Sequence, residues 1–238
     1  HLVIDDDANG RAAIRKYVSD EKVGGLLFGK GTTSSYASLA SQAASQADVP
    51  IMISADAEWG LAMRLKDAPR FPHNIAIGAG RNLKAVEDYG REMAHELRRL
   101  GITVDFAPVA DVNSNPLNPV IGYRAFGEDP ERVAELCRAF ARGLEEEGVM
   151  AVAKHFPGHG DTSTDSHKTI PKVERNAEQL GRNDLFPFKA LINDGIGGIM
   201  VGHLNVPAID PSGTPASLSK RIISGLLIND LGFDGLVF

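Results

Sequence analysis

Three histidines, two aspartates and a lysine fall within the fourteen residues from Lys154 to His167, Lys-His-Phe-Pro-Gly-His-Gly-Asp-Thr-Ser-Thr-Asp-Ser-His. Side chains of these types bind hydroxyl groups, hold metals or move protons. Asp165 and His167 read as a dyad: a carboxylate beside an imidazole fixes its tautomer, raises its basicity and lets it exchange a proton near neutral pH. Lys154 and His155 stand where an apolar run ends, and are expected to face a site as fixed donors to hydroxyl groups. A metal site is a second reading, because His155, His159, Asp161, Asp165 and His167 are all ligand types. Pro157, Gly158 and Gly160 break the segment, so no helix fixes the histidine spacing, and the metalloprotease pattern His-Glu-x-x-His is absent. No metal and no cofactor is expected. In a third reading the histidines only bond backbone, which would gather six ionisable side chains without purpose.

Two other segments carry candidates. In Ser54-Ala-Asp56-Ala-Glu58-Trp59-Gly60, a carboxylate at a strand end lies near the only tryptophan of the chain. Asp56 can accept from sugar hydroxyls and the aromatic face can cover a ring, although a core Trp59 and a solvated Glu58 fit the pattern equally. Arg64 either reaches back to the site or lies on the surface. Arg124, in an irregular glycine-bounded segment, can offer its planar fork to two acceptors at once. Asp129 before Pro130 reads instead as a helix cap. His203 follows an apolar run and is either a rim or a structural residue. Cys137, the single cysteine, shares a helical pattern with Val133, Leu136, Phe140 and Leu144 and reads as a buried structural thiol.

The elements that must position these residues are short apolar runs alternating with amphipathic segments. The runs are Leu2–Ile4, Gly25–Phe28, Ile51–Ser54, Val104–Pro108, Val149–Ala153, Gly198–Val201 and Gly235–Phe238; the helical patterns cover 11–19, 34–47, 83–99, 130–147, 177–193 and 219–231. Repeated strand-then-helix units with right-handed crossovers make either an open doubly wound sheet or a closed barrel. Polar residues end several runs (Asp56, Asp111, Lys154 and His155, His203), as a barrel rim requires, and no Gly-x-Gly-x-x-Gly follows the first run. The expected fold is α/β, a (β/α)8 TIM-type barrel, incomplete with about seven strands, in one domain over residues 1–238. A net charge of -6 with 25 scattered Lys and Arg argues against a nucleic-acid partner. No apolar run approaches the ~18–20 residues that cross a bilayer, so no membrane partner is expected. The opening His1-Leu-Val-Ile carries no targeting segment and leaves a cytoplasmic or periplasmic location equally open.

Taken together, Lys-His-Phe-Pro-Gly-His-Gly-Asp-Thr with Asp165-Ser-His167, the Asp56 to Arg64 segment, Gly-Tyr-Arg124-Ala-Phe-Gly-Glu-Asp-Pro and the closing Gly-Phe-Asp-Gly-Leu-Val-Phe resemble glycoside hydrolase family 3, in its β-N-acetylglucosaminidase branch. The resemblance implies a retaining exo-acting β-N-acetylglucosaminidase that releases terminal GlcNAc from peptidoglycan fragments (muropeptides) or other glycans through a covalent glycosyl-enzyme. His167 would be the acid/base, oriented by Asp165, with Asp56, Arg64, Arg124, Lys154 and His155 binding the N-acetylglucosamine ring. A phosphorylase acting on the same glycosides, and a non-catalytic carbohydrate-binding barrel, are the alternatives. Two departures stand out. Ala57-Glu58-Trp59-Gly60 replaces the family's Gln-Glu-Gly-Gly, and the nucleophile expected just after Gly235–Phe238 is not in the sequence. The chain is therefore expected to be a portion of a longer enzyme, truncated at both ends, with a further C-terminal domain possible.

Overall fold

The computed structural model describes residues 2–5, 7–80, 82–163 and 170–238. Among these residues seven strands form one parallel sheet whose spatial order is the chain order: β1 (Leu2–Ile4), β2 (Gly25–Phe28), β3 (Met52–Ala55), β4 (Val104–Asp105), β5 (Met150–Phe156), β6 (Gly198–Val201) and β7 (Leu236–Val237). Between them run α1 (Ala8–Ile14), α2 (Thr33–Gln46), α3 (Asn74–Gly78), α4 (Leu83–Arg99), α5 (Pro130–Glu146), α6 (Ala177–Arg182) and α7 (Phe186–Asn193), with a wider π-type helix over Arg221–Asp230 before β7.

Local chemistry sets the helix boundaries. Thr32 and Ser35 cap α2 reciprocally, and Asn176 and Gln179 do the same for α6. The Asp129 carboxylate accepts from the Arg132 N–H at 2.7 Å, with Pro130 in the first turn of α5, so Asp129 is the cap its sequence context indicated. The single helical pattern at 177–193 is two helices. The chain turns at Asn183–Leu185 around the buried Asp184 and restarts with Pro187 in the first turn, where a missing N–H costs nothing.

The strands expected at Val104–Pro108 and Val149–Ala153 also have different limits. Regular pairing of β4 stops at Asp105, because Pro108 has no N–H to donate to a ladder. The segment nonetheless stays beside β5: the Ala107 and Pro108 carbonyls accept from Val152 and Lys154, and Ala110 donates to the Lys154 carbonyl. β5 correspondingly runs on to Phe156.

Two apolar layers hold the sheet. The larger lies between strands and helices and includes Ile4, Phe28, Leu39, Leu97, Phe140, Phe156 and Phe188. The smaller lies on the opposite face, where Val104, Phe106 and Val152 pack with Leu27, Met52, Met150, Met200 and Phe238. Side chains from β2 through β6, and Phe238 just after β7, therefore meet in one cluster, and the Phe106 and Phe238 rings lie 5.3 Å apart. A flat sheet would separate residues three strands apart by far more, so this sheet is curled.

The tightest helix contact is between α4 and α5. A Cβ on Gly90 would lie 2.4 Å from the Phe140 carbonyl oxygen and 3.2 Å from Gly143 Cα, so only hydrogen fits there. We expect Gly90→Ala to push the helices apart and cost about 1–3 kcal/mol, read as a lower urea midpoint with an unchanged slope. Full stability in that variant would show that the crossing tolerates a methyl group.

Candidate active site

The polar site lies at the carboxyl ends of β3, β4 and β5. After β3 a tight turn, closed by Gly60 N–H to the Ala57 carbonyl at 3.0 Å, carries Asp56 and Glu58 inward. Glu58 is 1% exposed. It is not a solvated charge. On β5, Lys154 pairs with Met200 and Phe156 with Val201, so His155 is the extra residue of a bulge. In a regular strand, consecutive side chains face opposite ways, whereas a bulge lets neighbours serve one site. This explains how Lys154 and His155 both reach it. The Lys154–His155 peptide is cis.

These groups form one chain of contacts. Lys154 Nζ donates to Asp56 Oδ1 at 2.8 Å and lies 2.7 Å from Glu58 Oε1. Arg64 Nη2 holds Asp56 Oδ2 at 2.5 Å. Arg124 grips Glu58 with both arms of its fork, Nε to Oε2 at 2.9 Å and Nη2 to Oε1 at 2.7 Å. Arg124 Nη2 also lies 3.3 Å from His155 Nε2, and His155 Nδ1 lies 2.6 Å from Asp111 Oδ2. Arginine can only donate, so Nε2 is the acceptor and Nδ1 carries the proton given to Asp111: this network selects the neutral Nδ1–H tautomer of His155. The buried Asp111 also accepts from the backbone N–H of His155 and His159.

Burial alone would raise the carboxyls of Asp56 and Glu58, but the cations outweigh it. Lys154 and Arg64 hold Asp56 far below the ordinary carboxylate range, and Lys154 with Arg124 hold Glu58 at about 2. Burial works against the Lys154 ammonium, yet Glu58 and Asp56 together keep its pKa above the usual lysine value. Asp56, Glu58 and Lys154 are therefore ionised at neutral pH.

The five sequence candidates Asp56, Arg64, Arg124, Lys154 and His155 thus come together. Asp165 and His167 lie outside the described residues. Glu58, one of two readings in the sequence, and Asp111, noted there only as a strand end, join the cluster. Arg175 Nη2 donates to Ser114 Oγ at 2.6 Å and to Asp161 Oδ1 at 3.3 Å, tying down the start of the loop after β5. His159 is buried, with Nδ1 on Thr162 Oγ1 at 2.6 Å and its carbonyl accepting from Asn118, so it braces that loop. His203 is exposed and bonded to Ser217, and Cys137 is buried. Among the described residues no group of three or more His, Cys, Asp or Glu is placed to hold a metal ion. A cavity of about 350 Å³ opens at Asp56 and Arg64, lined also by Asp5, Phe28 and Lys30.

The chain belongs to glycosyl hydrolase family 3, whose N-terminal domain model matches residues 3–238. Among curated proteins it is similar to beta-hexosaminidase LpqI of Mycobacterium tuberculosis, 39% identical over 245 residues, covering 98% of this chain and 61% of that protein. It is likewise 39% identical over 221 residues to beta-hexosaminidase A of Pseudoalteromonas piscicida, covering 86% of this chain and 36% of that one. Among solved structures, a glycoside hydrolase family 3 β-N-acetylglucosaminidase from Paenibacillus sp. str. FPU-7 superposes with a TM-score of 0.91 at 38% identity, covering 99% of this chain and 47% of that one. NagZ from Neisseria gonorrhoeae, solved with N-trifluoroacetyl-D-glucosamine, gives 0.87 at 28% identity, covering all of this chain and 73% of that one.

Beneath the site, Asp105 is fully buried. Its Oδ1 accepts from Ala57 N–H at 3.0 Å, and Oδ2 has no partner among the described residues. Burial pushes its pKa up from 3.8 to about 7, only partly opposed by that N–H and by Lys154. The folded protein therefore holds a proton there that the unfolded chain releases near pH 4. This contribution to stability is complete below pH 4, declines as pH rises from about 4 to 7, and is gone above it. Thermal melts should show wild type losing more stability than Asp105→Asn between pH 5 and 8, because the amide does not titrate. Parallel curves would mean that Asp105 is ionised in the fold throughout.

Proposed function

We propose that this chain forms most of the (β/α)8 barrel of a retaining exo-β-N-acetylglucosaminidase that removes terminal GlcNAc from peptidoglycan fragments or other glycans. The observation that carries this reading is the pre-formed polar floor of Asp56, Lys154, Glu58, Arg124, His155 and Asp111, assembled at strand ends in a family of glycoside hydrolases. Sugar hydroxyls are both donors and acceptors, and fixed carboxylates beside fixed cations match that duality without reorganising. Lys154 directs two of its three N–H bonds to Asp56 and Glu58, which leaves one for a ring oxygen. Arg64 and Arg124, each anchored by a carboxylate, retain further donors.

In this proposal, Asp56, Arg64, Arg124, Lys154 and His155 orient the terminal sugar. His167, paired with Asp165, gives a proton to the leaving oxygen and later takes one from water. A carboxylate placed directly after β7 attacks the anomeric carbon. An eighth strand between β7 and β1 closes the barrel.

The test is turnover by the full-length protein of an aryl N-acetyl-β-glucosaminide and the matching aryl glucoside. The GlcNAc substrate should be strongly preferred. His167→Ala should lose about 10²–10⁴-fold with a poor leaving group and much less with an activated one. Lys154→Met should lower kcat/KM for both. A sugar 1-phosphate formed only when phosphate is added would replace hydrolysis with phosphorolysis, and an unaffected His167→Ala would remove the acid/base assignment. Glycan binding with no turnover of any aryl glycoside would leave only a binding barrel.

A further inference from the structure

Three aromatic rings stand together beside this floor. Trp59 and His73 have ring centroids 4.7 Å apart, His73 and Tyr123 4.5 Å, and Trp59 and Tyr123 5.8 Å. They are not core: Tyr123 is 55% exposed, His73 is exposed and Trp59 is half-buried. Each ring is the chain neighbour of an anchored residue. Trp59 follows Glu58 and Tyr123 precedes Arg124, and those two are locked by the double contact at 2.7 and 2.9 Å. His73 precedes the buried Asn74, whose Nδ2 donates to the Arg124 carbonyl at 2.8 Å. The turn after β3 completes the device. Gly60 has φ +102°, and a Cβ there would come within 2.7 Å of the Phe71 ring, so the turn that sends Glu58 inward and leaves Trp59 at the rim requires glycine.

We infer that Trp59, His73 and Tyr123 form a rim platform for a second pyranose ring of the glycan, beyond the terminal sugar held by the polar floor. Exposed aromatic side chains cost free energy unless something covers them, and a sugar offers an apolar face of C–H groups beside its polar edge. Trp59 and Tyr123 are the chain neighbours of Glu58 and Arg124, which ties the ring cluster to two residues of the polar floor. Rings that pack on one another beside three anchored chain neighbours need little ordering on binding. The platform thereby distinguishes an extended glycan from a lone GlcNAc. This inference rests on the glycosidase reading.

The experiment uses the full-length protein with methyl N-acetyl-β-glucosaminide, whose aglycone is a single carbon, and N,N'-diacetylchitobiose, which supplies a second ring. Trp59→Ala and Tyr123→Ala should lower kcat/KM for the disaccharide by roughly tenfold while changing the methyl glycoside less than about threefold. Trp59→Phe and Tyr123→Phe should restore most of the difference. Titration with the disaccharide should also change a tryptophan emission component that is missing in Trp59→Phe, a readout that does not need turnover. Equal losses on both substrates would show that the rings only brace Glu58 and Arg124, and no loss on either would show that they carry no binding; each overturns the platform while leaving the hydrolase reading intact. If neither glycoside is turned over, the hydrolase reading fails separately, and the emission titration alone decides the platform.

Discussion

Lys154 is 2% exposed, and an ammonium ion that deep would lose several kcal/mol of hydration if nothing replaced the water. Asp56 and Glu58 replace it. Those carboxylates are themselves buried or nearly so, and each needs a second cation, Arg64 for one and Arg124 for the other. Arg124 in turn fixes the acceptor nitrogen of His155, and Asp111 takes the proton on the other side. One buried cation thus propagates a requirement through six further side chains, from Asp56 and Glu58 out to His155 and Asp111. Such networks contribute little net stability compared with apolar packing, but they set positions sharply.

The fold brings these groups together by two devices. A curled parallel sheet in chain order sends the ends of β3, β4 and β5 toward one side, and a one-residue bulge in β5 lets Lys154 and His155 act on the same site. The irregular course of Ala107–Asp111 adds to these two devices. Pro108 and the bridging carbonyls keep it beside β5 without regular pairing, and so deliver Asp111 under His155.

Much of this was legible in the sequence, and the limits were physical. The strands Leu2–Ile4, Gly25–Phe28 and Gly198–Val201, and the helix Leu83–Arg99, fall where their apolar patterns put them, because burial on one face imposes a period that composition reveals. The cap at Asp129 was legible because its chemistry is local. Glu58 and Asp111 were not assignable, since whether a charge near a strand end turns in or out depends on partners 66 and 44 positions away. The break between α6 and α7 was missed because the period of the pattern persists across Asn183–Leu185. The five candidate sugar-contacting residues converge, while the Asp165–His167 pair stays a reading of the sequence.

The strand order carries a consequence for how the protein is made. Every strand pairs with the one synthesised just before it, so the sheet can extend as the chain emerges from the ribosome. The ion cluster cannot. Lys154 lies 98 positions after Asp56, which at ordinary translation speeds is a wait of roughly 5–20 s. Until then the two carboxylates at the end of β3 have only Arg64 and later Arg124 for company, and water must fill the space of the missing ammonium. The early strands of this protein are therefore born wet at one end, and that end dries only when β5 arrives.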